Sequence, residues 1–342
     1  MTIKKLAAIL GMSHSTVSRA LNDHPAISQS TKELVIQAAR EYGYIPNNAA
    51  RALRNASSGA FGLIIPDIQN DFFISVTNAI AREAAQRSWQ MLLAITGDKP
   101  DIEHNAVLRM MTASVDGIII APTAKPLAET RNLLTRTHTV QLLRRNAAIE
   151  APVIAIDDRH GTGLAVTHLQ TLGHRRIAYI GSSAELSTGF ERLQGFRQMF
   201  SDAELSLLAD LIETGPPQAE FGVTAFKRIM RVSEPPTALV LGSPRYAMAI
   251  LLAARELNIR IPEDLSLIGY GDVSWGPLLE MKLTTISLPE KQITAACVDI
   301  IRHLMGDETA FTPDEYIDST ENQLFTPHLS AGNSTRAIAT RA

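Results

Sequence analysis

The sequence predicts an all-α head followed by a large α/β body of two doubly wound lobes. Three observations carry that prediction. The first sixty residues hold three short helical patterns broken by turn residues, and strand-like runs are absent from them. From Phe61 onward, short apolar runs alternate with amphipathic stretches, the pattern of parallel strands joined by crossover helices. The chain is 342 residues long, 45% hydrophobic and 20% charged, so it can bury a sizeable core and is too long for one ordinary domain.

The head is built from local signals. Thr2 can cap a first helix whose apolar stripe is Ile3, Leu6, Ala7 and Leu10, and Gly11 supplies the permissive backbone that ends it. Ser13 can cap a second helix, His14 to Leu21, with Val17, Ala20 and Leu21 turned inward. Its other face carries His14, Ser15, Ser18 and Arg19, short polar groups and one guanidinium suited to base edges in a major groove. A third helix follows Ser30 and runs to about Tyr42, with Leu34, Val35, Ala38 and Ala39 inward. Residues 1–60 carry seven Lys and Arg against three carboxylates, +4, which leaves −7 for the rest of a chain whose net charge is −3. A basic head on an acidic body points the head toward a polyanion. A small helical bundle with a solvated polar face is the plainer alternative.

The body divides in the same way. Candidate strands lie at 61–66, 90–95, 116–121, 139–143, 153–156, 176–181, 209–213, 237–241 and 265–270, with helical stretches at 73–87, 101–113, 161–172, 190–200, 217–231 and 245–257. Nine strands exceed one lobe, and two lobes leave a cleft outside the carboxyl ends of their strands, where ligands bind. The predicted domains are a head with hinge and linker at 1–60, a two-lobed body at 61–326, and a disordered tail at 327–342 that lacks a sustained apolar period. The tail shows no leucine heptads, which favours a homodimer over a tetramer.

Several classes are excluded. No stretch approaches a membrane span, and the N-terminal apolar residues are spaced helically with no cleavage site after them, so a cytoplasmic protein is expected. The lone Cys297 permits no internal disulfide and lies in an apolar helical run, as a buried structural thiol would. Gly161-Thr162-Gly163 opens a helix after a strand, but Val166 replaces the third glycine of a dinucleotide fingerprint. Neither a G-x-x-x-x-G-K-S/T loop nor a G-x-S-x-G elbow occurs, and the nine histidines are scattered without metal-ligand spacing. No enzyme activity, metal or cofactor is expected, and His174 is expected to be structural.

The run from Thr2 to Arg54 resembles the headpiece of the lactose-repressor (LacI/GalR) family. Thr16-Val17-Ser18-Arg19, Leu21-Asn22 and Gly43-Tyr44-Ile45-Pro46-Asn47 carry the likeness. The resemblance implies a DNA-binding transcriptional regulator, expected to be a repressor, that meets a pseudo-palindromic operator. It implies DNA contacts from His14, Ser15, Thr16, Ser18, Arg19, Asn22, Asn47, Ala50 and Leu53. It also implies that Asn47 to Arg54 is a hinge helix that folds on DNA, with Leu53 wedged between base pairs in the minor groove. The body resembles the family through Pro66 to Phe73, Leu172-Gly173-His174, Arg192-Leu193-Gln194-Gly195-Phe196 and Leu283-Thr284-Thr285-Ile286. That likeness implies lobes like those of periplasmic sugar-binding proteins, a first of 61–157 plus about 286–318 and a second of about 158–285 plus the last strand. A transporter's sugar-binding protein shares this body but would need an export signal and no DNA-binding head.

The ligand cleft departs from the family pattern. Arg144 stands where an aspartate is usual, Gly242-Ser243-Pro244-Arg245 replaces a common Asn-Asp, and Gly269-Tyr270-Gly271-Asp272 has lost a carboxylate. Arg192 matches the family's effector-gripping arginine. Asn70, Phe72, Arg144, Arg192, Ser243 and Arg245 are the expected effector residues. Three guanidiniums in one cleft would suit an anionic small molecule, a sugar acid or sugar phosphate. Alternatively, Arg144 and Arg245 point to solvent or pair with carboxylates across the cleft.

Overall fold

The structure is a computed structural model that describes residues 1–21, 24–44, 58–203, 207–305 and 322–338. It divides into two compact units, Met1–Gly59 and Ala60–Ala342.

In the first unit, α1 (Ile3–Ile9), α2 (His14–Leu21) and α3 (Gln29–Glu41) enclose a small core of Leu6, Ala7, Val17, Ala20, Val35, Ala38 and Ala39. Thr2 caps α1 by accepting from the Lys5 N–H at 3.3 Å, and Gly11 turns the chain with φ +61°. Ser13 Oγ accepts the Thr16 N–H at 3.1 Å, so α2 starts where a serine relieves one of its orphan donors. Two expectations are corrected here. α3 begins at Gln29 rather than after Ser30, because Ser28 caps it by accepting from the Thr31 N–H at 3.4 Å. Leu34 lies on the exposed side of α3, because the stripe that meets the other helices is Val35, Ala38 and Ala39.

The second unit holds two six-stranded sheets. The strands are β1 (Ala60–Ile65), β2 (Gln90–Ile95), β3 (Gly117–Ile120), β4 (His138–Leu142), β5 (Val153–Ile156), β6 (Ile177–Ser182), β7 (Ile212–Gly215), β8 (Ala238–Gly242), β9 (Ser266–Tyr270), β10 (Thr284–Ser287), β11 (Gln323–Phe325) and β12 (His328–Ser330). The helices are α4 (Asp71–Arg87), α5 (Pro100–Thr112), α6 (Ala128–Leu134), α7 (Asp158–Thr171), α8 (Ser187–Asp202), α9 (Ala219–Ile229), α10 (Ala247–Glu256) and α11 (Glu290–Leu304). The first sheet runs β11-β5-β4-β3-β1-β2 and the second β12-β10-β9-β8-β6-β7, the same order in both. All pairings are parallel except β12 with β10. The internal repeat is thus one of topology, invisible as sequence similarity.

The inner strands are buried throughout, and successive side chains enter the two apolar layers in turn, as in a sheet covered on both faces. Phe61, Leu63 and Ile65 join one apolar cluster while Ala60 and Ile64 join another with Met110 of α5. In the second sheet Tyr179, Val240 and Ile268 face one way, and Ile180, Leu239 and Leu267 the other. Gly195 allows α8 to lie against α7, since a Cβ there would stand 2.2 Å from the Arg159 carbonyl oxygen. Cys297 is buried in the core, with its thiol pushed up to about 12 by burial.

The tail expectation is wrong over 327–338. β12 pairs with β10, and the residues after it strap the second lobe. Ser334 Oγ donates to the Leu267 carbonyl at 2.7 Å and accepts the Thr284 N–H at 2.8 Å. The strap is ordered by hydrogen bonds to strand ends rather than by an apolar stripe, so hydropathy gave no sign of it. The boundary between lobes shifts slightly too. β10, through Ser287, belongs to the second sheet, and the chain re-enters the first lobe only with α11 and β11.

Candidate functional site

In the head, α2 exposes His14, Ser15 and Arg19, and half-buries Thr16, whose hydroxyl lies 2.8 Å from Ser13 Oγ. Ser15 and Arg19 are one turn apart and share a face. Ser18 corrects the expectation: at 7% exposed it packs into the head instead of standing open beside Arg19. Asn22, Asn47, Ala50 and Leu53 lie outside the described residues.

In the body, the loops that leave the carboxyl ends of β1, β4, β6, β8, β9 and β10 converge between the lobes. One cavity there is lined by Asn70, Phe72, Arg144, Arg192, Ser243 and Arg245, all six expected effector residues. Asp67, Ser182, Thr188, Pro217, Tyr270 and Leu288 complete much of its wall. Each sheet reverses its strand order beside this space, between β1 and β3 and between β6 and β8. Ligands of open parallel sheets settle at such points. Asn70 caps α4, accepting the Phe72 N–H at 3.1 Å, and Ser243 Oγ accepts the Arg245 N–H at 3.4 Å where the chain turns toward α10.

The three arginines are not equivalent. Arg192 is buried, and its Nε donates to Asp158 Oδ1 at 2.8 Å. Its Nη1 donates to the Gly242 carbonyl at 3.0 Å, and its guanidinium carbon lies 3.8 Å from the Tyr270 ring centre. Tyr270 donates its hydroxyl to the same Asp158 oxygen. Burial and the Asp158 charge push the Tyr270 phenol well above its ordinary range, so it stays a donor. Arg144 forms a forked pair with Asp98, the second bond being 3.2 Å. Leu143, beside Arg144, and Asp98 itself both sit in the left-handed region at φ 59°, so backbone strain is stored on both sides of that pair. Behind it, Glu103 is fully buried and accepts from the Thr123 N–H at 2.6 Å and hydroxyl at 2.9 Å. Burial pushes its carboxyl up, with the Thr123 bonds opposing.

Arg144 and Arg192 therefore already have counter-ions, and the expected excess of three guanidiniums does not exist. Asp98 and Asp158 were missed because they stand 46 and 34 residues from their partners. Their position just beyond predicted strands, in the runs Thr96-Gly97-Asp98 and Ile156-Asp157-Asp158, was the available sign. Arg245 has no carboxylate among the described residues. It reaches across to the other lobe, donating from Nη1 to the Gln69 carbonyl at 3.1 Å and from Nη2 to Gln69 Oε1. The lobes are also joined by Ser274 to Asp71 at 3.0 Å, by the Arg145 N–H to Ser187 Oγ at 2.8 Å, and by Lys125 to Glu185. The cavity beside these links has a volume of about 50 Å³, enough for a few waters.

Among the described residues, no group of three or more His, Cys, Asp or Glu is placed to hold a metal ion, and no helix is long and apolar enough to cross a membrane.

A head of three helices with a polar face on the second, joined to two lobes around a cleft that holds three arginines, is the arrangement of a DNA-binding regulator with a small-molecule domain. Residues 2–47 match the profile of the lacI family of bacterial regulatory proteins, and residues 166–326 match a periplasmic binding protein-like domain. The HTH-type transcriptional repressor CytR of Escherichia coli strain K12 is 29% identical over 296 residues, 85% of this chain and 86% of that protein. Catabolite control protein A of Priestia megaterium is 27% identical over 338 residues, 96% of each chain. The solved lac repressor dimer bound to operator and the anti-inducer ONPF superposes with a TM-score of 0.80 at 23% identity, covering 98% of this chain and 99% of that one. These matches support a LacI-family regulator, a DNA-binding transcriptional repressor with a small-molecule effector domain.

Proposed function

We propose that the protein acts in the cytoplasm as a homodimer on a pseudo-palindromic operator, and that its affinity for DNA is set by a small anionic carbohydrate, a sugar acid or sugar phosphate. The observation that carries the effector reading is Arg245, a cleft guanidinium whose two partners are both neutral oxygens of Gln69. A carboxylate or phosphate would satisfy it with two parallel bonds and supply the opposite charge that the amide lacks. Asn70, Phe72 and Ser243 shape the rest of the site, with Arg144 and Arg192 as hydrogen-bond donors already neutralised by Asp98 and Asp158. Those two pairs also favour the second reading, a neutral sugar whose hydroxyls bridge them.

On the DNA side, His14, Ser15, Thr16 and Arg19 read base edges, with Arg19 reaching furthest into the groove. The contacts of Asn22, Asn47, Ala50 and Leu53 rest on the likeness to the family. The dimer reading draws on the edge strand β2, where Leu93 and Ile95 stand exposed beside Ile102 of α5. These side chains form an apolar outer face on the first lobe, of the kind that marks an interaction site. Selection of duplexes from a random pool tests the DNA reading. The expected product is a two-fold symmetric site, and Arg19→Ala should lose about 1–3 kcal/mol on it while relaxing one base position per half-site. Equal weakening on selected and random DNA would make Arg19 a phosphate contact.

A further inference from the structure

Arg245 and Gln69 form an unusual link between the lobes. Guanidiniums elsewhere in the cleft face carboxylates, Arg144 with Asp98 and Arg192 with Asp158. Arg245 instead holds the main-chain and side-chain oxygens of a single exposed glutamine. Its Nε is buried without an acceptor, so the fork is only partly satisfied. Gln69 is kept in place from behind, its N–H donating to Asp67 Oδ1 at 2.8 Å in the loop between β1 and α4. Asp67 thus spends its carboxylate on the loop while lining the same cavity.

A guanidinium prefers a planar anion that takes two parallel bonds, and a neutral amide is a weaker substitute. Gln69 presents two oxygens to Arg245 from one residue, a two-point arrangement like that of a carboxylate but without the charge. We propose that Gln69 is a neutral stand-in for the effector's anionic group. In the free protein it occupies Arg245 and ties the lobes together. The effector's carboxylate or phosphate takes its place, and in doing so breaks one of the links that hold the cavity small. Recognition of charge and release of the lobe contact are then one event, which gives the ligand its differential affinity for two arrangements of the lobes. This inference rests on the reading of an anionic effector at Arg245.

Thermal unfolding of the full chain tests it without the natural effector, using inorganic sulfate against chloride at matched ionic strength. Sulfate should raise the Tm of the wild type through Arg245, beyond the general salting effect that remains in Arg245→Ala. Gln69→Ala frees the site, and the half-maximal sulfate concentration should fall severalfold. Gln69→Glu supplies the anion internally. It should raise the Tm by about 2 °C or more, abolish the specific sulfate response, and lose its gain in the Arg245→Ala background. If Gln69→Ala and Gln69→Glu respond to sulfate as the wild type does while Arg245→Ala does not, the stand-in role falls and the anion site stands. If Arg245→Ala responds to sulfate as fully as the wild type, or if no form responds and Gln69→Glu gives no gain, both fall.

Discussion

Removing Asp158 should be the most damaging single change in the effector cleft. Asp158 and Arg192 are nearly wholly buried, with side-chain exposures of 4% and 8% and an Nε–Oδ1 separation of 2.8 Å. Asp158→Ala leaves the guanidinium with the Gly242 carbonyl and the face of Tyr270, neither of which carries a full negative charge. It also takes the acceptor from the Tyr270 hydroxyl. Losing one member of a buried pair costs about 3–5 kcal/mol, because the survivor stays buried and uncompensated. For a body of this size that is a fall in Tm of roughly 6–20 °C. Arg192→Met should cost a similar amount by stranding Asp158. The double variant should lose clearly less than the sum of the two, since no lone charge remains. Both tryptophans, Trp89 and Trp275, lie in the second unit, so urea unfolding followed by tryptophan fluorescence at fixed protein concentration reports on the body alone. Two single variants that each cost under about 1 kcal/mol and add without coupling would show that the pair is not the buried, mutually dependent unit described here.

Gly195→Ala should destabilise the body by about 1–3 kcal/mol by overpacking, because its methyl group meets the Arg159 backbone and no flexible side chain can yield; the same urea titration checks it. His174 donates from Nε2 to the Arg336 carbonyl at 3.0 Å and accepts from Thr237 at Nδ1, 2.9 Å away, and burial lowers its pKa below the ordinary 6.5. The unfolded chain therefore binds the proton first, so stability is full above about pH 6.5 and lost as the pH falls toward the folded value, by up to about 1.4 kcal/mol per pH unit. His174→Gln should flatten that slope by up to one proton's worth, with the remaining slope shared by His168, also lowered by burial. If the proposed homodimer forms through the apolar outer face of the first lobe, Leu93→Glu should sediment as a monomer where the wild type sediments as a dimer, and should bind operator at least tenfold more weakly while remaining folded.

The fold was legible where a local pattern met a global need. Candidate strands at 90–95 and 153–156 coincide with β2 and β5, because short apolar runs bounded by polar and turn residues are legible without context. The strands that escaped notice, β10, β11 and β12, are three or four residues long and include Thr284, Thr285, Gln323 and His328. Their partners, not their side chains, make them strands. The strap through Ser334 and Arg336 escaped for the same reason, since polar groups anchor it. Leu34 misled because apolar residues at neighbouring positions of a helix cannot all face one core. In the cleft, the arginines stood out as departures from a family pattern. The carboxylates that neutralise two of them, and the glutamine that holds the third, are set by packing between distant segments and were invisible along the chain.

The central claim is that this repressor's operator affinity answers to an anionic ligand gripped by Arg245. Operator binding by the wild type and by Arg245→Ala, followed by fluorescence anisotropy across neutral sugars and their acids and phosphates, tests it most directly. The expected result is that an acid or phosphate changes the wild-type Kd for operator at least tenfold, its neutral parent does not, and the variant's Kd changes with neither. A neutral sugar that shifts the wild type and the variant alike, with no response to any anionic relative, would contradict it.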